Sequence, residues 1–557
     1  MKGQVGMQRS VGRLVAPVVI IAVLLGTAWT GRAAVAGADI DPALRAGDVA
    51  LIQVAAGTAW TVAADLTSAG ATEVSAFDNV DVVTARVSET TLGLIASDRH
   101  VLRATTDANV VASGGGRNDK DLDRYGDLSD RTSVGVAAVG APSAWPRSTG
   151  AGVVVALMDS GIGNHPDLPA GKVVARKNFV ADNATSLDPA GHGTHLAGVI
   201  AANGETFRGV APDARLVDIR VLDANGVGTL KNVVAGFDWL LKNRRALHIG
   251  VLNLSIGTPQ IRSYHSDLLA ALAEAAWFSG VTVVAAAGND GPLPGGIATP
   301  GADPFVITVG SLDDQGTLTE VDDRESAFSS RGPTLDGFAK PDVLAPGRRV
   351  VSLRADGSAL DKSKPVRVAA LVSPETATLA TAAATLATSL VTLAKNRDTR
   401  DNNGNGSRSD LYVRMSGTSV SSAMVAGTAA LVLSYHREYS PTKIKGAIVG
   451  SAHRVLGSVT RAVDAQKALN ETTRGVNSNL LPSKLLMKAL AQSGVGGSGT
   501  TWEGITWEGV TWESVTWESV SWEAVTWEGV VWESVSWEGV MWESAGWVQP
   551  AELDASR

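Results

Sequence analysis

The chain of 557 residues contains no cysteine. That one absence removes disulfide stapling, a thiol nucleophile, thiolate metal sites and lipid attachment to an N-terminal cysteine. Stability must then come from an apolar core, which a chain of this length can supply. Histidine is scarce, with eight in all, and none stands in an H-E-x-x-H or comparable metal-binding pattern. Clusters of basic residues are missing too. The net charge is −8, but residues 501–547 hold nine glutamates and no Lys, Arg or Asp, which leaves the remainder at +1. A near-neutral body without a basic block excludes nucleic acid as a partner. Past the N-terminus, no apolar run has the length of about 20 residues that crossing a bilayer requires.

What is present begins with a targeting segment. Lys2, Arg9 and Arg13 precede an apolar run from Leu14 to Ala28, and Ala34-Val35-Ala36 fits the small-residue cleavage rule. The run is roughly 15 residues long, short for an uncleaved anchor. Residues 1–36 are therefore read as a signal peptide cut after Ala36, and the protein as secreted.

Residues 37–112 carry strand patterns at Val49–Val54, Val80–Val87 and Val101–Ala104 and a helical pattern at Glu89–Ser97, a small α+β module. The Gly-rich, charged stretch 113–133 is a linker. From 134 onward, strand candidates (Val153–Met158, Arg215–Val221, Gly250–Ser255, Val281–Ala287, Phe305–Val309) alternate with helices (His195–Ala202, Lys231–Asn243, Ser266–Ser279). That alternation predicts an α/β, doubly wound, mainly parallel sheet. The domain runs to 470 with an insertion at 354–409, which includes a helical pattern at Glu375–Lys395. A second linker, 471–500, leads to a pentapeptide repeat W-E-[G/S/A]-[V/I]-x over 501–547. Ten of the 15 tryptophans lie there.

Three segments carry chemistry. The apolar run ending at Asp159, followed by Ser160-Gly161, puts a carboxylate at the C-terminal end of a buried strand, where open α/β sheets place functional groups; D-S-G is also common turn chemistry. Gly191-His192-Gly193-Thr194-His195 opens an apolar helix; a histidine pair at i and i+3 would be half a metal site without a third ligand. Ser416-Gly417-Thr418-Ser419 leads into another apolar helix. A serine there caps a helix, and Ser419 also has the helix N-terminus beside it to stabilise a developing oxyanion.

A-L-M-D-S-G-I, G-H-G-T-H-L-A-G and S-G-T-S-V-S-S, in that order, resemble the three active-site signatures of the subtilisin-like serine proteases, the subtilases. V-L-N-L-S-I-G, V-V-A-A-A-G-N, F-S-S-R-G-P and K-P-D-V-L-A-P-G between them are similar to further segments of that family. The resemblance covers roughly 134–353 and 411–469, and more weakly links the 37–112 module to the family's inhibitory propeptide. It implies Asp159, His192 and Ser419 as the catalytic residues, with His195 set aside, and Asn289 as the oxyanion donor, a residue otherwise readable as a plain turn asparagine. It also implies Ser255, Ile256, Gly257, Ala286, Ala287 and Gly288 as walls of a roomy substrate pocket, hence broad apolar specificity, with Asp290 near the rim. The substrates would be proteins or peptides, and the chain's own propeptide a partner. Ala423 stands where the family usually has proline. The segment Asn203–Arg208 is shorter than the calcium loop of many members, so no cofactor is expected and structural calcium is unsupported. The Trp repeat has no part in the resemblance. At period five it forms no single stripe on a strand or a helix. It reads as a low-complexity tail, a small β-structure or a sticky acidic ribbon contacting the cell envelope.

Overall fold

The computed structural model describes residues 38–113, 134–182, 184–204, 207–363, 411–471, 476–477 and 480–486, together with the backbone of strands at 367–368 and between 506 and 547. The expected signal segment, nearly all of the first linker and the helix expected at Glu375–Lys395 lie outside the described residues. All elements below belong to the unit Gly37–Arg557.

The N-terminal module is built from β1 (Asp39–Ile40), β2 (Val49–Val54), α1 (Ala59–Ser68), β3 (Thr72–Phe77), β4 (Val82–Arg86), α2 (Glu89–Ser97) and β5 (Val101–Thr106), with sheet order β1-β5-β2-β4-β3. It is thus larger than its three strand patterns indicate. The sequence VALIQV of β2 shows almost no polar alternation because both of its faces are covered. Ile52 and Val54 pack with Leu66, Val83 and Ile95 in the module's own core. Leu51 points the other way, into the main core with Val80 and Val82. Such burial is worth about 1.5–3 kcal/mol per large aliphatic side chain. Helix α2 starts on a reciprocal cap: Ser88 Oγ accepts from the Thr91 N–H, and the Thr91 hydroxyl oxygen accepts from the Ser88 N–H at 2.6 Å. The module docks through polar contacts as well. Asn79 donates its backbone N–H and side-chain amide to Asp238 at 2.8 and 3.0 Å, and Asp107 accepts from the Lys231 N–H at 2.9 Å.

A short strand, β6 (Asn109–Ala112), carries the chain out of the module. Two short helices, α3 (Gly135–Ala138) and α4 (Ala141–Ala144), precede the main sheet, whose strands are β7 (Val154–Asp159), β8 (Val173–Asn178), β9 (Arg215–Arg220), β11 (Ile249–Leu254), β13 (Thr282–Ala286), β15 (Ile307–Asp313), β16 (Arg324–Glu325) and β17 (Val343–Pro346). Their order is β16-β15-β13-β11-β7-β9-β8, with β17 also on β15, and every pairing is parallel except that of β16. The expected doubly wound parallel sheet is therefore present. Helices α5 (His192–Ala201), α6 (Leu230–Asn243) and α7 (Leu268–Phe278) alternate with the strands. Strand β18 (Val350–Leu353), which precedes the short helix α8 (Ala359–Lys362), joins β19 (Arg367–Val368) and β20 (Tyr412–Met415) in a three-stranded sheet of order β18-β20-β19. Helix α9 (Thr418–Tyr435) is apolar on every side and buried from Thr418 to Val432, running behind β11, β13 and β15 as the spine of the core. It has the length and hydropathy of a membrane span, but 83% of that window is buried inside the protein.

Two further strands, β10 (Val227–Thr229) and β12 (Ile256–Pro259), border the cleft, with β14 (Ala298–Thr299) beyond. Strand β6 lies between them, antiparallel to both: Val111 pairs with Val227 and Gly257, and Ala112 with Ile256. The module's C-terminal strand thus runs through the cleft.

In the tail, three-residue strands pair in parallel at a step of twenty residues: Trp507 with Trp527 and Trp527 with Trp547, Trp512 with Trp532, Trp517 with Trp537, Trp522 with Trp542. The period-five sequence thus brings like residues into register at a step of four pentapeptides.

Candidate active site

The site gathers at the C-terminal edge of the parallel sheet and the N-termini of α5 and α9. Asp159 closes β7 and is fully buried; its Oδ1 accepts from the Ser160 N–H at 2.7 Å. His192 opens α5. Its Nδ1 lies 2.7 Å from the same Oδ1, and its Nε2 lies 3.1 Å from Ser419 Oγ in the first turn of α9. Three side chains separated by 33 and 227 positions form one hydrogen-bonded line.

Two glycines permit that line. A Cβ on Gly193 would sit 2.1 Å from the Gly161 carbonyl oxygen. Gly161 has φ +117°, and a Cβ there would meet the Leu187 carbonyl oxygen at 2.0 Å. The turn after β7 and the first turn of α5 touch backbone to backbone, and this sets the Asp159–His192 distance.

Asp188, which sequence reasoning missed, fixes the start of α5. One of its oxygens accepts from the Gly191 N–H and the Ser160 hydroxyl, each at 2.8 Å; the other accepts from the Thr194 N–H at 2.8 Å and its hydroxyl at 2.6 Å. Its signal was an Asp just before a helix start, the ordinary capping pattern.

Electrostatics separate the two histidines. Burial opposes a charge on His192, but the Asp159 carboxylate in contact with it, helped by Asp188, outweighs burial and lifts its pKa above the ordinary histidine value. Burial pushes His195 down to about 3, despite the Val350 carbonyl oxygen 3.2 Å from its Nε2. His195 is therefore a neutral core residue, as a histidine with an apolar helix around it should be.

Asn289 follows Gly288 at the end of β13. Its Oδ1 accepts from the Thr418 N–H at 2.9 Å and the Thr418 hydroxyl at 3.1 Å. This turns the amide nitrogen into the cleft, where it donates to the Ser113 carbonyl oxygen, the last described residue of the strand leaving the module. Ser113 in turn donates its N–H to the Ser255 carbonyl oxygen at 2.8 Å. Ser255, expected as a pocket wall, presents its backbone to the cleft. Its hydroxyl faces inward, 3.1 Å from the Ser419 carbonyl oxygen and 2.8 Å from Ser422 Oγ. Ile256 and Gly257 are the next rungs of the same ladder. Ala286 and Ala287 are buried beneath the cleft floor, and Gly288 donates its N–H to the Thr418 hydroxyl at 3.2 Å. Asp290 is exposed.

Among the described residues, no group of three His, Asp or Glu has metal-holding geometry. Asn203 and Arg208 form an antiparallel bridge, the Asn203 amide donates to Asp213 at 3.0 Å, and the neighbouring Asp167 accepts from the Tyr412 hydroxyl at 2.6 Å.

The sequence pattern of the subtilase family (Peptidase_S8) matches residues 150–480. The serine protease AprX of Bacillus subtilis (strain 168) is 36% identical over 307 residues, which cover 53% of this chain and 60% of that protein. Subtilisin Savinase of Lederbergia lenta is 37% identical over 221 residues, 39% of this chain and 72% of the relative. The crystal structure of fervidolysin from Fervidobacterium pennivorans, a keratinolytic enzyme related to subtilisin, aligns with a TM-score of 0.55 at 22% identity, over 78% of this chain and 63% of that one. The chain thus spans about 60% of the length of AprX. Its strand order, its site geometry and the family pattern over more than half its length agree: this chain belongs to the subtilase family.

Proposed function

We propose that the chain is a secreted serine endopeptidase, made as a self-processing zymogen, with Ser419 as nucleophile, His192 as general base and Asp159 as its orienting partner. One observation carries the reading: the strand leaving the module lies along the cleft with its Ser113 carbonyl oxygen on the Asn289 amide, beside the Ser419–His192–Asp159 line. A peptide carbonyl held by a donor next to a serine–histidine pair is the arrangement that acyl transfer needs.

The chemistry follows from the hydrogen bonds. His192 Nδ1–H donates to Asp159, so Nε2 is free to accept the Ser419 Oγ proton. Oγ bonds to the carbonyl carbon, and the carbonyl electron pair moves to the oxygen, where Asn289 and the N-terminus of α9 stabilise it. On collapse, the bond to the following nitrogen breaks and His192 returns the proton to that amine. Water then repeats the sequence on the ester and frees the enzyme. In the first turnover the substrate is the chain itself, and the bond cut is Ser113–Gly114. The chain retained begins at Gly114 and carries the protease domain 134–470 with its C-terminal extension, and the part removed is the propeptide-like module 37–112 together with Ser113.

Specificity rests on main-chain pairing of the peptide between β10 and β12. Side-chain selection comes from Val110, the fourth residue before the proposed cut and fully buried, against Val111, which is 45% exposed. The walls around Ser113 are small and apolar. Together these support broad apolar specificity towards protein and peptide substrates. The Trp repeat, with its like residues in register, is a multivalent surface suited to weak contacts with envelope polymers, which would keep some of the secreted enzyme at the cell surface.

Three tests follow. In Ser419→Ala, proteolysis of a denatured protein should fall by at least about 1,000-fold, and the new N-terminus at Gly114 found in the wild-type chain should be absent; a variant that still acquires it would refute self-processing. The kcat/KM for a peptide should rise with pH as His192 loses its proton, with a midpoint above about 6.5. The raised pKa keeps the base protonated to higher pH, so a profile flat between about pH 5 and 9 would contradict its role. Truncation after Gly499 should leave peptide hydrolysis unchanged and move protein from the envelope fraction to the medium. Unaltered partitioning would dismiss the anchoring role.

A further inference from the structure

The segment expected to be plain linker contains a packed stretch that belongs to neither neighbour alone. On one side it is fastened to the body. The Ser483 N–H donates to both carboxylate oxygens of buried Glu274 on α7 at 2.8 Å, and the Tyr264 hydroxyl donates to the Leu481 carbonyl oxygen at 2.8 Å. Just before it, the Asn477 amide donates to the Phe305 carbonyl oxygen at 2.9 Å. The stretch is also braced within itself, Leu486 N–H donating to Ser483 Oγ at 3.1 Å.

On the other side it meets the N-terminal module. The Gln53 side-chain amide, at the end of β2, donates to the Leu485 carbonyl oxygen at 3.3 Å in a fully buried contact bridging 432 positions. Leu485 and Leu486 are 4% and 5% exposed. Leu486 lines a cavity shared by Gln53, Val80 and Asp81 of the module and Leu268 and Leu272 of α7. The Leu485 carbonyl oxygen and the Leu486 side chain are thus covered in part by the module, and the module's buried Gln53 amide finds its acceptor in this stretch.

We propose that residues 480–486 are a clamp that completes the docking surface for the N-terminal module and slows its departure once the Ser113–Gly114 bond is cut. The proposal rests on the module being the inhibitory propeptide. Cleavage removes the covalent tether at Ser113, but the three-way contact among β2, α7 and the clamp remains. Release then requires the buried amide of Gln53 to lose its acceptor and Leu486 to lose its cover, costs that fall on the departing step. Free activity therefore follows loss of the module rather than cleavage itself, and the stretch of chain leading to the Trp tail sets that delay.

The test uses the full chain carrying Ser419→Ala, with a recognition sequence for an unrelated protease placed within residues 114–133. After that protease has cut, dissociation of the module is followed by size exclusion over time. Leu485→Ala with Leu486→Ala should accelerate dissociation by about tenfold or more. Gln53→Ala, which alters only the module and leaves the protease fold untouched, should accelerate it in the same direction by a smaller factor. Unchanged rates in both variants would overturn the clamp. Because the cut is made from outside, the outcome does not depend on self-processing, and failure of the wild-type chain to cut at Ser113 would be seen separately.

Discussion

Everything at the site depends on how closely the end of β7 approaches the start of α5. The Asp159–His192 bond at 2.7 Å exists because Gly161 and Gly193 let two backbones touch where any side chain would intrude. Asp188 secures the arrangement from behind, tying Ser160, Gly191 and Thr194 together through one buried carboxylate. Ser419 then needs only the position of α9, which the core supplies by enclosing that helix along nearly its whole length. The proposed chemistry is thus held by rigid elements, and little of it is left to loops.

Under the proposed zymogen reading, the same cleft would also hold the enzyme inactive. A peptide bound between β10 and β12 gains main-chain hydrogen bonds on both sides, so the strand leaving the module is both the proposed first substrate and the inhibitor. Under the proposal, product and inhibitor share one seat, and the timing of activity passes to whatever holds the module in place. Docking by Asn79 and Asp107, by Leu51 and by the 480–486 clamp makes that hold a property of the whole interface.

Legibility in the sequence followed the range of the interactions. The parallel sheet was readable because β7 (VVALMD) and β13 (TVVAA) are nearly continuous apolar runs, as strands covered on both faces tend to be. The motifs around Asp159, His192 and Ser419 were readable because close backbone approach demands glycine at fixed offsets. Other features left weaker traces. Helix α5 was expected to begin at His195 but begins at His192: its first turn is polar by composition and is buried through contacts distant in sequence, with Asp159, Gly161, Asp188 and Ser419. Strand β3 lies at a sheet edge, half exposed, and shows no alternation. The inward turn of the Ser255 hydroxyl is set by Ser419 and Ser422, far away in sequence, and the Gln53–Leu485 contact is set by chain ends that no local pattern relates. The twenty-residue register of the tail strands was hidden in a different way, since a period of five pairs like residues only at every fourth unit.

Four serines crowd the start of α9, at 416, 419, 421 and 422, and the account turns on one of them. The most direct measurement is to treat the chain, after the module has left, with a fluorophosphonate that phosphonylates activated serines, and to locate the adduct by peptide mass spectrometry. A single adduct is expected, on Ser419, and it should be lost when His192 is replaced by alanine. An adduct on Ser416, Ser421 or Ser422, or none at all, would contradict it.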